Sequence, residues 1–197
     1  MGPTVDTGDT AFVLMSCALV LLMTPGLAFF YAGLVRSKNV LNTLLMSFVA
    51  LAVVGVHWVL LGYSLSFAPS EGALLPWIGS LKWFGLAGVG AEPNADLAAT
   101  VPHSAFMLFQ GMFAVITPAL ISGAIVERVK FRSWIVFLLA WSTLVYAPIC
   151  HWVWAPGGWL RQRARACGAR HAPCFLARWR ARSANGECFA LALAGRW

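Results

Sequence analysis

Charge is what this sequence has least of. Of 197 residues only 11% are Asp, Glu, Lys or Arg, against 60% apolar, where a soluble domain carries about 25% charged residues. That shortage excludes an ordinary water-soluble fold and places the chain in a bilayer. Cysteine builds no framework either. Cys17 and Cys150 lie in apolar runs and Cys167, Cys174 and Cys188 near the C-terminus, an odd and scattered set that implies no disulfide pattern. Lys and Arg are missing ahead of the first apolar run, which follows Asp6 and Asp9 instead. A cleaved signal begins with a basic stretch, so this run is expected to stay in the protein as a membrane span. The uncharged runs hold no carboxylate, no Ser/His/Asp set and no clustered metal ligands, so an intramembrane hydrolase or redox enzyme lacks its parts.

The few charges that exist are unevenly placed. Residues 1–160 carry six basic and six acidic side chains, whereas 161–197 carry eight arginines and one acid, Glu187. The net charge of +7 therefore belongs wholly to the last 37 residues. A basic pI describes that tail and gives no reason to expect nucleic acid as a partner.

Between the charges lie uncharged stretches at Thr10–Val35, Asn39–Ser70, Leu97–Val126 and Ser133–Leu160, of 26, 32, 30 and 28 residues. Each exceeds the roughly 20 residues a helix needs to cross a bilayer. Trimmed of polar ends, they predict helices near 11–34, 43–67, 103–126 and 132–154: an all-α, polytopic membrane bundle. Pro25, Pro118 and Pro148 fall inside the runs and are expected to kink them. Arg36 and Lys38 follow the first helix, and Arg128, Lys130 and Arg132 follow the third. The positive-inside rule puts those two short loops in the cytoplasm and the N-terminus outside. Segment 69–96 then reads as an external loop, with a short interfacial helix expected around Trp77–Phe84.

Five motifs occur in order along these runs. They are Leu21-Leu-Met-Thr-Pro-Gly-Leu-Ala-Phe-Phe-Tyr-Ala-Gly33 with Val35-Arg-Ser-Lys-Asn39, then Gly62-Tyr-Ser-Leu-Ser-Phe67, then Phe109-Gln-Gly-Met-Phe-Ala-Val-Ile-Thr117, Gly123-Ala-Ile-Val-Glu-Arg-Val-Lys-Phe131 and Tyr146-Ala-Pro-Ile-Cys-His-Trp-Val-Trp154. Together they resemble the ammonium transporter family (Amt/Mep/Rh), in its Amt branch, over about residues 8–160. The resemblance implies an eleven-helix fold of two inverted five-helix repeats plus a last helix, of which this chain holds the first four. It also implies a homotrimer with one pore per subunit, ammonium or ammonia as the permeant with methylammonium as its analogue, the lipid bilayer as surroundings, and a cytoplasmic PII-type regulator. No covalent chemistry and no cofactor are implied, and a non-conducting ammonium sensor of the same family is the alternative function.

By resemblance Phe113 belongs to an aromatic gate, and Phe109 and Trp154 line an external site that recruits the cation. Phe109 and Phe113 are four apart and share one helix face. Aromatic faces attract a small cation through the ring quadrupole, although a Phe pair in a span is also ordinary packing and a Trp at a span end an ordinary interfacial anchor. Thr24, Tyr31 and Gln110 read as architectural polar groups between helices. His57, in mid-span beside Trp58, occupies a position where the family has an apolar residue. It reads as a structural or peripheral variant, not a pore ligand. His103 and His151 read as satisfied histidines near the external ends, and Glu127 and Arg128 as partners of neighbouring charges at a cytoplasmic turn.

From about residue 161 the likeness is expected to stop. A structural aspartate near Ala166 and a pore histidine on a fifth helix are implied by the family and absent, and no uncharged run after 160 exceeds eight residues. The spacing of Cys167, His171 and Cys174 offers three ligands in no standard metal pattern. The tail is rich in Arg, Ala, Gly, Cys and Trp and has no Lys, Asp, Ile, Thr or Val. Two origins fit, translation out of frame or a lineage-specific soluble tail, and the composition favours the first. Residues 1–160 are thus expected to be the N-terminal part of the transporter membrane domain, in a truncated chain that is inactive alone.

Overall fold

The computed structural model describes residues 4–69, 77–126 and 128–163. The tail beyond residue 163, with its three cysteines and His171, and the Glu127 side chain lie outside the described residues.

Among the described residues, four helical rods long and apolar enough to cross a membrane run over Thr7–Leu34, Ser37–Phe67, His103–Ile125 and Phe131–Arg163. The first is a single helix, α1 (Thr7–Leu34), whose Asp6 carboxylate accepts from the Gly8 and Asp9 amides as an N-cap should. The second is α2 (Val40–His57), a π-helical turn over Trp58–Gly62, and α3 (Tyr63–Phe67). The third is α4 (His103–Ile125). The fourth joins α5 (Phe131–Trp141) to α6 (Ala147–Trp154) through a second π-helical turn, Ser142–Tyr146. In both π turns the amide after the turn reaches five residues back: Tyr63 to the Trp58 carbonyl and Ala147 to that of Ser142. Pro148 lies two residues past the second turn and has no N–H for the carbonyl four residues earlier. A local change of hydrogen-bond register is a known way to accommodate that loss.

The rods pack through small residues. Thr24, Ala28 and Ala32 of α1, Thr43, Ser47, Ala50 and Val54 of α2, and Ala114, Val115, Ala119 and Ser122 of α4 are all buried. In lipid, where apolar surface alone drives no association, such residues let backbones approach closely enough for dispersion to hold them. Ser47 and Ser122 hydroxyls meet at 3.5 Å inside this seam. Tyr31 lies flat against Gly123, where a Cβ would come within 2.5 Å of its Cζ, and donates to the Leu120 carbonyl at 3.0 Å.

One end of the bundle is built by segment 77–102. Trp77–Phe84 is a series of turns, and not the short helix expected there. Gly79 sits so close to the end of α3 that a Cβ would meet the Ser64 carbonyl at 2.6 Å, and Gly85, Leu86 and Gly88 take positive φ, which a helix cannot accommodate. Phe84–Leu86 is a three-residue turn, closed by the Leu86 amide on the Trp83 carbonyl, with positive φ at Gly85 and Leu86. A small antiparallel hairpin, β1 (Pro93–Asn94) with β2 (Ala98–Pro102), leads into α4. Its turn is held by the Asp96 amide on the Asn94 side chain at 3.0 Å, the Asx geometry typical of such loops. The Asp6 amide donates to the Thr100 carbonyl at 2.8 Å, so the N-terminus shares this end of the molecule. The basic segments Arg36–Lys38 and Arg128–Arg132 lie at the other.

Candidate functional site

The hairpin end holds a cluster of aromatic residues. Tyr63 donates to or accepts from His103 at 2.6 Å, and Trp83 stacks on Tyr63 at 5.6 Å and meets His103 edge-on at 4.7 Å. The Ser64 hydroxyl accepts from the Trp83 amide and donates to the Ser80 carbonyl, which clamps the loop onto the helix ends. Phe67 of α3 meets Phe106 of α4 edge-to-face at 5.4 Å. These contacts fix the start of α4 against the end of α3.

Phe109 and Phe113 follow within the next three turns. Their rings are in T-shaped contact, 5.1 Å between centroids at 82°, and Phe113 remains 37% exposed. The Thr117 hydroxyl donates to the Phe113 carbonyl at 2.6 Å, an ordinary local use of a threonine in a span. Trp154, also 37% exposed, is the last residue of α6, and its carbonyl accepts from Arg161. The turn after it needs Gly158, since a side chain there would strike the His151 and Trp152 carbonyls. The structure therefore joins Phe109 to Phe113 directly and puts Trp154 at the same end of the bundle, because α6 is tied to α3 by His151 Nδ1 donating to the Ser66 carbonyl at 3.0 Å. Exposed aromatic faces of this kind are suited to attracting a cation. Among the described residues no group of three or more His, Cys, Asp or Glu could hold a metal ion.

A second aromatic group lies beside Trp154. Trp77, Trp152 and Trp159 stand 6.1 to 6.2 Å apart, the Trp152 indole donates to the Trp77 carbonyl at 2.7 Å, and the Arg163 guanidinium lies 5.3 Å from the Trp159 ring centre. An apolar cavity of about 80 Å³ between the second and third rods, lined by Gly55, Trp58, Val59, Met107, Leu108, Gly111, Met112 and Val115, contains none of the three predicted site residues. Trp58 is the hub that sequence reasoning passed over. Its indole donates to the Met107 carbonyl at 3.2 Å, its ring meets Tyr63, Phe67 and Tyr146, and Gly62 and Gly111 leave it room. The sequence signal was the pair of glycines, which are meaningful only once their shared neighbour is known. Cys17 and Cys150 are buried free thiols, and His57 is buried and bonded to Thr143 at 2.8 Å.

Four apolar rods packed through small residues define a polytopic α-helical membrane protein. The chain belongs to the Ammonium Transporter Family, whose model matches residues 11–167. It is 52% identical over 155 residues to an ammonium transporter of Bacillus subtilis, covering 79% of this chain and 37% of that protein. With an ammonium transporter of Mycobacterium tuberculosis it shares 47% over 179 residues, 82% of this chain and 38% of the other. Among solved structures, Saccharomyces cerevisiae Mep2 superposes with a TM-score of 0.72 at 36% identity, covering 81% of this chain and 36% of that one. A structure described as a sensor Amt protein gives 0.70 at 25% identity, covering 78% and 37%. The chain thus spans less than two-fifths of the length of the curated relatives described. Both of these curated relatives are described as ammonium transporters.

Proposed function

We propose that this chain supplies the first four helices of an ammonium channel subunit and that Phe109, Phe113 and Trp154 attract and pass the cation. The observation that carries this reading is the T-shaped Phe109–Phe113 pair, with Phe113 partly exposed, in a chain 52% identical to an ammonium transporter. The N-terminus and the hairpin face outside on this reading. Their joint position at one end, with the basic loops at the other, supports it through the positive-inside rule. The intact subunit would form a homotrimer and answer to a PII-type cytoplasmic regulator. Residues 1–160 form the membrane part, and 161–197 are a tail read out of frame. One other frame downstream of codon 160 should then encode an aspartate among small residues and, about 20 residues on, a histidine.

Taken alone, the 197 residues would not conduct, since pathways in such folds run between two inverted repeats. The test grafts residues 11–160 onto the remainder of the Bacillus subtilis relative in a host lacking ammonium transport. Methylammonium uptake is expected from the graft and not from the chain alone. Trp154→Leu or Phe109→Ala should weaken apparent affinity about 2- to 30-fold, the loss of about 0.5–2 kcal/mol of cation–π attraction. Unchanged affinity in both variants would reduce these residues to packing. A cysteine replacing Ser37, in a cysteine-free background, should resist an impermeant maleimide added outside, while one replacing Ser70 reacts. A second reading, a non-conducting sensor, is favoured by the likeness to the sensor Amt structure, and a graft that inserts but transports nothing would support it.

A further inference from the structure

The second and fourth rods run in the same direction and are joined by three hydrogen-bonded rungs. At one end the Trp134 indole donates to the Met46 carbonyl at 3.0 Å, and at the other His151 Nδ1 donates to the Ser66 carbonyl at 3.0 Å. Both end rungs land on backbone, so any residue at 46 or 66 would serve. The middle rung is different. His57 Nε2 and the Thr143 hydroxyl meet at 2.8 Å, side chain to side chain, so both identities matter. Each sits at a π turn: His57 immediately precedes Trp58–Gly62, and Thr143 lies within Ser142–Tyr146. Trp58 and Tyr146, one from each turn, add an edge-to-face contact at 6.0 Å.

The proton inventory fixes the direction of the middle rung. Thr143 has one hydroxyl proton, and it is donated to the Leu139 carbonyl at 2.8 Å. Toward His57 the hydroxyl oxygen can only accept, so His57 must donate from Nε2. That is the opposite tautomer to His151, whose Nδ1 faces a carbonyl.

We infer that His57, as the Nε2–H tautomer donating to Thr143, is a positioning residue that holds the two π turns against each other and so sets the rotation of α6 and of Trp154. A π turn contains one residue more than an α turn closing the same rod. If it relaxed to α geometry, everything beyond would rotate by about 100°, and Trp154 lies eight residues past Tyr146, about 12 Å along the helix. A buried histidine in mid-span is costly unless partnered, and Thr143 is that partner. The inference goes beyond the proposed transport role and does not rest on it.

The test uses the full chain in lipid nanodiscs, without ammonium, so its failure would leave the transport reading intact and the reverse. Nitrogen-15 spectra of histidine-labelled protein, with His57 assigned by its loss in His57→Gln, should show Nε2 protonated and Nδ1 bare. A protonated Nδ1, in either the neutral or the charged ring, would overturn the assignment. Fluorotryptophan spectra then follow Trp154. His57→Leu and Thr143→Val should each shift or broaden its resonance, while His57→Gln and Thr143→Ser, which keep a donor and an acceptor, should restore it. A Trp154 signal unmoved by Leu and Val, or moved equally by all four, would overturn the positioning role.

Discussion

The α1–α2–α4 seam and the attachment of the fourth rod solve the same problem by opposite means. In the seam, alanine and serine are buried on all three helices and threonine on α1 and α2, and cohesion comes from backbones brought near each other. The fourth rod adds large buried side chains, Trp134 and Leu138 in α5 and His151 in α6, and is fastened by discrete donors on carbonyls and a hydroxyl. Away from the cavity beside Trp58, a seam of small residues has little volume to give and fails by overpacking. A laddered contact has replaceable rungs and fails one bond at a time.

That contrast sets an order of mutational effects. Ala50→Leu, at a fully buried seam position, should be the most damaging. Overpacking of a close interface costs about 1–3 kcal/mol, and here it should appear as lost resistance to protease in detergent. Gly111→Val probes the same limit at the edge of the seam, where a Cβ would already lie 2.8 Å from Trp58 Cδ1; a drop in thermal midpoint close to that of Ala50→Leu is expected. Trp134→Phe removes one rung while leaving an aromatic ring in place. It should cost about 1–2 kcal/mol, combining a lost interhelical hydrogen bond with a small cavity. Tyr31→Phe should be mildest, about 0.5 kcal/mol, because the Leu120 carbonyl it serves belongs to a helix with its own backbone donors. Thermal unfolding of the four variants side by side decides the matter. If Tyr31→Phe proved as harmful as Ala50→Leu, the distinction between seam and ladder would be lost.

Much of this was legible in the sequence, for a specific reason. Arg36, Lys38, Arg128, Lys130 and Arg132 interrupt the apolar runs so sharply that four spans follow from counting alone. The first rod extends beyond its expected bound, starting at Thr7, where Asp6 caps the helix three residues before Asp9. Phe109, Phe113 and Trp154 came from family likeness, because periodicity cannot separate a binding aromatic from a packed one. The two π turns left no trace in composition: a shift from four- to five-residue hydrogen bonds is settled by tertiary contacts such as His57 with Thr143, whose partners stand 86 positions apart. The hairpin at Pro93–Pro102 was hidden because its second strand is a short uncharged stretch that merges with the run preceding α4.

The bond between the Asp6 amide and the Thr100 carbonyl bears on the order of events during synthesis. Asp6 caps a helix that leaves the ribosome early, yet its backbone partner is made almost a hundred residues later, after one further crossing of the bilayer has been committed. At about 5–20 residues per second, α1 waits roughly 5–20 s with that amide unclaimed by the protein. The first helix can therefore enter the membrane early but acquires its final anchorage late, and both ends of the bond must by then have reached the same side.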